Sequence, residues 1–185
     1  MNMKCKLLAA AAAGALVVGS VSYADGMSDV RPYVGGELSF NMPKYPAGSD
    51  YKKNKPGLGA FVGARICDYF GVEAGYDYVM KAKSKSDSSD SIKISNLYLD
   101  GMGYFAASPE VDLIGAVGIG RIKPKAKDNG GTYYNKAKSG YRLGLGAQYK
   151  FDENIAARLM VRYQKGKKEA LKSMTSVALG VAYTF

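Results

Sequence analysis

Eight stretches of the chain alternate apolar with small or polar residues at a period of two. Met174–Phe185 shows the pattern most cleanly. Val177, Leu179, Val181, Tyr183 and Phe185 share one parity, and Ser176, Ala178, Gly180, Ala182 and Thr184 share the other. Such a period belongs to an extended strand, whose successive side chains point to opposite faces. Seven earlier segments repeat it: Val30–Phe40, Gly57–Cys67, Phe70–Met80, Ile92–Phe105, Leu113–Ile122, Tyr141–Tyr149 and Ile155–Lys165. Each is about the 9–11 residues that a tilted strand needs to cross a bilayer. Eight strands can close into a ring with no unpaired edge, a condition that hydrocarbon imposes on any sheet. The expected fold is all-β: an eight-stranded antiparallel up-and-down transmembrane β-barrel.

The polar parity separates this barrel from a soluble one. A water-facing surface carries many long charged side chains, whereas this parity is crowded with glycine and short residues. A narrow barrel needs small residues inside to leave room for a few large ones. Eight charges share that parity: Glu37, Glu73, Asp77 and Asp100 with Arg65, Arg142, Arg158 and Arg162. The set is neutral, and every cation is arginine, whose forked guanidinium suits carboxylates. These residues are expected to form an ion-pair network in the lumen. Arg65 and Glu73 are equally spaced from Tyr69, so they are expected to face each other across neighbouring strands and pair.

The amino terminus points to export. Lys4 and Lys6 precede an apolar run from Leu7 to Val18, followed by Ser22-Tyr23-Ala24. A basic lead, a short apolar stretch and small residues at −3 and −1 predict a cleavable signal peptide over residues 1–24, cut after Ala24. Residues 25–185 would then form the barrel domain, with Cys67 as the one remaining cysteine. The leader takes two lysines with it, so the formal net charge of +10 falls to +8.

That charge is unevenly placed. Four connections, Asn41–Lys55, Lys81–Ser91, Lys123–Ser139 and Lys165–Ser173, are long and polar. They hold sixteen lysines: Lys44, Lys52, Lys53 and Lys55; Lys81, Lys83 and Lys85; Lys123, Lys125, Lys127, Lys136 and Lys138; and Lys165, Lys167, Lys168 and Lys172. Only five acids accompany them, while the short turns are acidic through Asp68, Glu110, Asp112, Asp152 and Glu153. A concentrated cationic face attracts polyanions and speeds encounter. The expected partners are outer-membrane lipid, lipopolysaccharide phosphates, and host glycans or acidic surface proteins. Specific nucleic-acid binding is not expected of an exported barrel. Tyr45, Tyr51, Tyr133 and Tyr134 add amphipathic contact area to these connections.

Catalytic signals are lacking. The chain has no histidine, so no group supplies a base near neutral pH without special tuning. With one cysteine and no histidine in the processed chain, no metal site or cofactor is expected. An interior filled by ion pairs, Phe61, Tyr98 and Met160 leaves no room for a general porin.

The leader, the eight alternating segments, the basic connections, the Arg/Glu/Asp interior and the terminal Tyr183-Thr184-Phe185 together resemble the OmpA/OmpX-like outer-membrane β-barrel superfamily, including its opacity-type surface proteins. The resemblance implies the outer membrane of a Gram-negative bacterium and a role in envelope integrity, adhesion or host contact. It also implies that Gly180, Tyr183 and Phe185 form the signal recognised by the barrel-assembly machinery. OmpA proper continues into a peptidoglycan-binding domain; here the strand pattern ends at Phe185, so wall tethering is not expected. The leading expectation is a non-enzymatic surface protein of the adhesin or antigen type. The alternatives are a structural envelope protein or a narrow, low-conductance channel.

Overall fold

A computed structural model of the chain describes residues 30–44, 55–83, 91–128, 131–134, 138–165 and 173–185. Among them lie nine strands: β1 (Arg31–Lys44), β2 (Lys55–Cys67), β3 (Phe70–Lys83), β4 (Ser91–Ala106), β5 (Val111–Asp128), β6 (Gly131–Tyr134), β7 (Lys138–Lys150), β8 (Ile155–Lys165) and β9 (Ser173–Thr184). Eight of them form a closed antiparallel ring in which β1 pairs with β9 and β4 with β5. The extra strand, β6, folds back along the far end of β5 and adds no stave. No helix among the described residues is long and apolar enough to cross a membrane.

Parity decides which way each side chain faces. Leu38 and Phe40 on β1, Val117 and Ile119 on β5, Leu145 on β7 and Leu179 on β9 all point outward and are exposed. A belt of that kind is stable only against lipid. Tyr141 and Tyr149 bracket it on β7, and Tyr183 at the end of β9 closes it with Phe185 just beyond. Amphipathic rings at both rims suit the membrane–water interface.

Inside, large rings are accommodated by facing glycines. Tyr33 lies opposite Gly63, Phe61 opposite Gly35, and Tyr98 opposite Gly75. A methyl group at any of these three glycines would overlap the ring across from it. Three apolar clusters result. Met102, Tyr104, Ile114, Ala116 and Met160 pack toward the short-turn end. Tyr33, Phe61, Tyr98 and Ala182 pack at mid-height, and Val79, Ile94, Ile122 and Met174 near the long connections.

The strands run further than the sequence pattern suggests. β4 has 16 residues and β5 has 18, and their ladder continues to Ser91 and Lys127. Backbone pairing persists beyond the bilayer because the two strands still satisfy each other's hydrogen bonds. Lys44, Lys55, Lys81, Lys83, Lys123, Lys125, Lys127, Lys138 and Lys165 therefore belong to strands rather than loops. Lys52, Lys53, Lys85, Lys136, Lys167, Lys168 and Lys172 lie outside the described residues, as does the leader with Ala24.

Candidate functional site

The interior charges assemble around Glu73, which is completely buried on β3. Arg158 of β8 donates to its Oε2, and the Tyr33 hydroxyl donates to the same oxygen at 3.0 Å. Tyr98 donates to Oε1 at 3.2 Å, and Arg162 Nη2 stands 3.9 Å from that oxygen. Arg162 in turn pairs with Glu37 of β1. The Arg158 guanidinium sits 4.6 Å from the Phe61 ring centre, a contact that stabilises a desolvated cation. Residues from three other staves, β1, β4 and β8, thus converge on one carboxylate of β3.

A second unit lies nearer the long connections. Arg142 donates from Nε to Asp100 Oδ2 at 2.9 Å and from Nη1 to Asp77 Oδ2 at 3.0 Å. Its guanidinium stacks 3.6 Å from the Tyr98 ring centre. Asn96 donates to Asp77 at 3.2 Å, and Gln164 donates to Asn96 at 3.2 Å. All these residues belong to the inward parity, where unpaired polar groups would be strongly destabilising.

The expected Arg65–Glu73 pair does not form. Cys67 faces Phe70 across the turn, but Arg65 faces Gly71, so Ile66 is an extra residue in β2. The two-residue Asp68-Tyr69 turn and this bulge each shift the register by one, so Glu73 lies opposite Gly63, and Ile66 turns inward, where it is buried. Arg65 instead binds Asp112 Oδ2 at 2.8 Å and the Asp68 carbonyl at 2.6 Å. Lys150 holds the other Asp112 oxygen at 3.0 Å. Asp112, counted above among the turn acids, is buried and joins the interior set. Its parity with Ile114 and Ala116 was the available signal. The tyrosine hydroxyls are the other missed members, although Tyr98 and Tyr104 share parity with Asp100.

The basic connections differ in how much of them is described. Lys123 and Lys165 are exposed on strand ends, whereas Lys55 is 4 % exposed and its ammonium has no hydrogen-bond partner among the described residues. Lys55 therefore leaves the set of solvent-facing cations. At the opposite end, Gly180 faces inward, where a methyl group would press on the Gly36 carbonyl and Glu37. Tyr183 and Phe185 face outward with their rings edge to face, 5.2 Å apart.

Known proteins share this architecture. Neisserial surface protein A superposes with a TM-score of 0.69 at 16% identity, covering 83% of this chain and 97% of that one. Ail, the attachment invasion locus protein of Yersinia pestis, solved in complex with the heparin analogue sucrose octasulfate, gives 0.65 at 17% identity, covering 85% and 99%. Outer membrane protein A of Yersinia pseudotuberculosis is 26% identical over 173 residues, 83% of this chain. The chain spans about half the length (48%) of that relative. The family described as "Outer membrane protein beta-barrel domain" matches residues 10–185. With its closed ring and lipid-facing belt, the chain belongs to that family and is an outer-membrane β-barrel of a Gram-negative bacterium.

Proposed function

We propose that this barrel is a non-enzymatic surface protein whose lysine-rich end engages anionic partners, in the manner of an adhesin or surface antigen. The observation that carries the reading is the charge asymmetry between the ends. Sixteen lysines and five acids occupy the four long connections and the strand ends that lead into them, whereas the short turns are acidic. The long strands β4 and β5 lift part of that charge beyond the bilayer. A relative of the same fold bound to a sulfated heparin analogue supports the partner class. Host glycans and acidic surface proteins share that chemistry.

The interior supports a structural role in place of catalysis. The chain has no histidine, and the described lumen carboxylates are each engaged by arginine. The same packing favours a closed or weakly conducting barrel. Maturation by cleavage after Ala24, and recognition of Gly180, Tyr183 and Phe185 by the assembly machinery, complete the proposal.

The test is retention of the folded protein on immobilised heparin. Wild type is expected to bind at low ionic strength and to elute as salt screens the charges. A variant with Lys52, Lys53, Lys167 and Lys168 replaced by glutamine is expected to elute at clearly lower salt and to lose host-cell attachment. Unchanged elution and attachment would sink the proposal.

A further inference from the structure

At the short-turn end the barrel mouth encloses a cavity of about 60 Å³ that the ion-pair networks leave open. Its origin is a set of small inward residues on neighbouring staves. Ala156 of β8 lies between Lys150 of β7 and Ala182 of β9, and one inward step deeper Arg158 lies between Gln148 and Gly180. Both alanines are buried, and no longer side chain fills the space they leave beside Tyr33.

Cationic donors form the inner wall of this space. Arg65, Lys150 and Arg158 line it, with the more exposed Arg31 at the opening. The carboxylates that pair with these cations, Asp68, Asp112 and Glu73, do not line it. Two guanidinium N–H groups are left over: Nε of Arg65 and Nε of Arg158 are buried and have no hydrogen-bond partner among the described residues. Arg158 as a whole is 2% exposed, so bulk water does not answer for its spare donor. Both guanidinium groups are held in place by rings. Arg65 lies 4.2 Å from the Tyr104 ring centre and Arg158 5.5 Å from that of Tyr33, and the two hydroxyls meet at 3.3 Å. Two acids, Asp152 and Glu153, also line the cavity, but they belong to the exposed β7–β8 turn. Asp152 Oδ1 is taken up by the backbone N–H groups of Asn154 and Ile155, at 2.8 and 2.6 Å.

We propose that this cavity binds one small oxoanion, of the size of inorganic phosphate or a short carboxylate, admitted from the periplasmic side where the short turns lie. The space is several times the ~10–15 Å³ that a single water needs. An oxoanion there accepts charge-assisted hydrogen bonds from the two spare Nε–H groups and the Lys150 ammonium. Those donors are already fixed by Tyr33, Tyr104 and Asp112, so little ordering opposes binding. Asp152 and Glu153 at the opening repel an extended polyanion, which restricts the site to a small free anion. The site is at the opposite end from the lysine-rich connections and is independent of polyanion capture there.

The test follows the arginine Nε–H resonances of the full-length processed barrel in zwitterionic micelles by NMR. Inorganic phosphate, acetate or sucrose octasulfate is added at constant ionic strength. Phosphate and acetate are expected to move the Arg65 and Arg158 signals together and saturably, and to leave Arg142 and Arg162 in place. Sucrose octasulfate should move neither Arg65 nor Arg158. Ala156→Leu fills the cavity without altering a charge and should raise the phosphate concentration at half-saturation by on the order of tenfold or more. Lys150→Gln should raise it less, and serves if the leucine variant fails to refold. A wild-type Arg158 signal without a saturable response would mean that the cavity holds water only and would overturn the proposal. An equal phosphate response in wild type and the folded variants, or displacement of both signals by the octasulfate, would overturn it as well.

Discussion

The Glu73 network and the Arg31–Asp68 pair use the same chemistry in opposite surroundings. Arg31 and Asp68 meet at 2.7 Å, but their side chains are 50% and 77% exposed, so water and salt compete for both. Glu73 and Arg158 are 0% and 2% exposed, with Tyr33 and Tyr98 filling the remaining acceptor positions. The lesson is that position in the barrel decides an ion pair's weight. Both pairs join distant parts of the chain, but only the interior pair does so out of reach of water and salt.

Breaking the buried side should give the largest effect. Glu73→Ala leaves the Arg158 guanidinium without its carboxylate and the Tyr98 hydroxyl without its acceptor, and is expected to lower stability by roughly 3–5 kcal/mol in urea unfolding from lipid vesicles. A loss below about 1 kcal/mol would mean that the network does not organise the lumen. Gly63→Val places a branched side chain against the Tyr33 ring and should destabilise by about 1–3 kcal/mol, read in the same titration. The corrected pairing of Arg65 is testable by double-mutant cycles. Arg65→Gln with Asp112→Asn should show coupling of about 0.5–3 kcal/mol, and with Glu73→Gln should be additive within ~0.5 kcal/mol. Arg31→Gln should change stability by no more than ~1 kcal/mol, and that difference should vanish in high salt.

The same contrast explains what the sequence made legible. Parity reports the face, so the lumen residues Glu37, Asp77, Asp100, Arg142, Arg158 and Arg162 could be placed inside from alternation alone. Parity does not report the partner, which depends on register. A two-residue turn at Asp68-Tyr69 and one extra residue at Ile66 together slide β2 against β3 by two, and Arg65 pairs with Asp112 rather than Glu73. Nothing in the composition near Ile66 signals that bulge, because Arg65, Ile66 and Cys67 each fit a continuous strand. Strand ends were also hidden. Past the bilayer the apolar half of the alternation is no longer required, so the extension of β5 carrying Lys123, Lys125 and Lys127 looked like loop. The burial of Lys55 was missed for the same reason: charge in a polar stretch gives no sign that its stem enters the barrel mouth.

The central claim is that the interior holds the barrel together while the cationic end meets its partners. It is tested most directly by measuring the affinity of three folded proteins for one sulfated oligosaccharide by calorimetry at a fixed low salt concentration. The three are wild type, the K52Q/K53Q/K167Q/K168Q variant, and an E37L/R162M variant whose buried pair is replaced on both sides by apolar groups, a change that can be nearly neutral for folding. The account predicts wild-type affinity for the interior variant and a loss on the order of tenfold or more for the loop variant. Full affinity in the loop variant, or its loss in the interior variant with the fold intact, would contradict it.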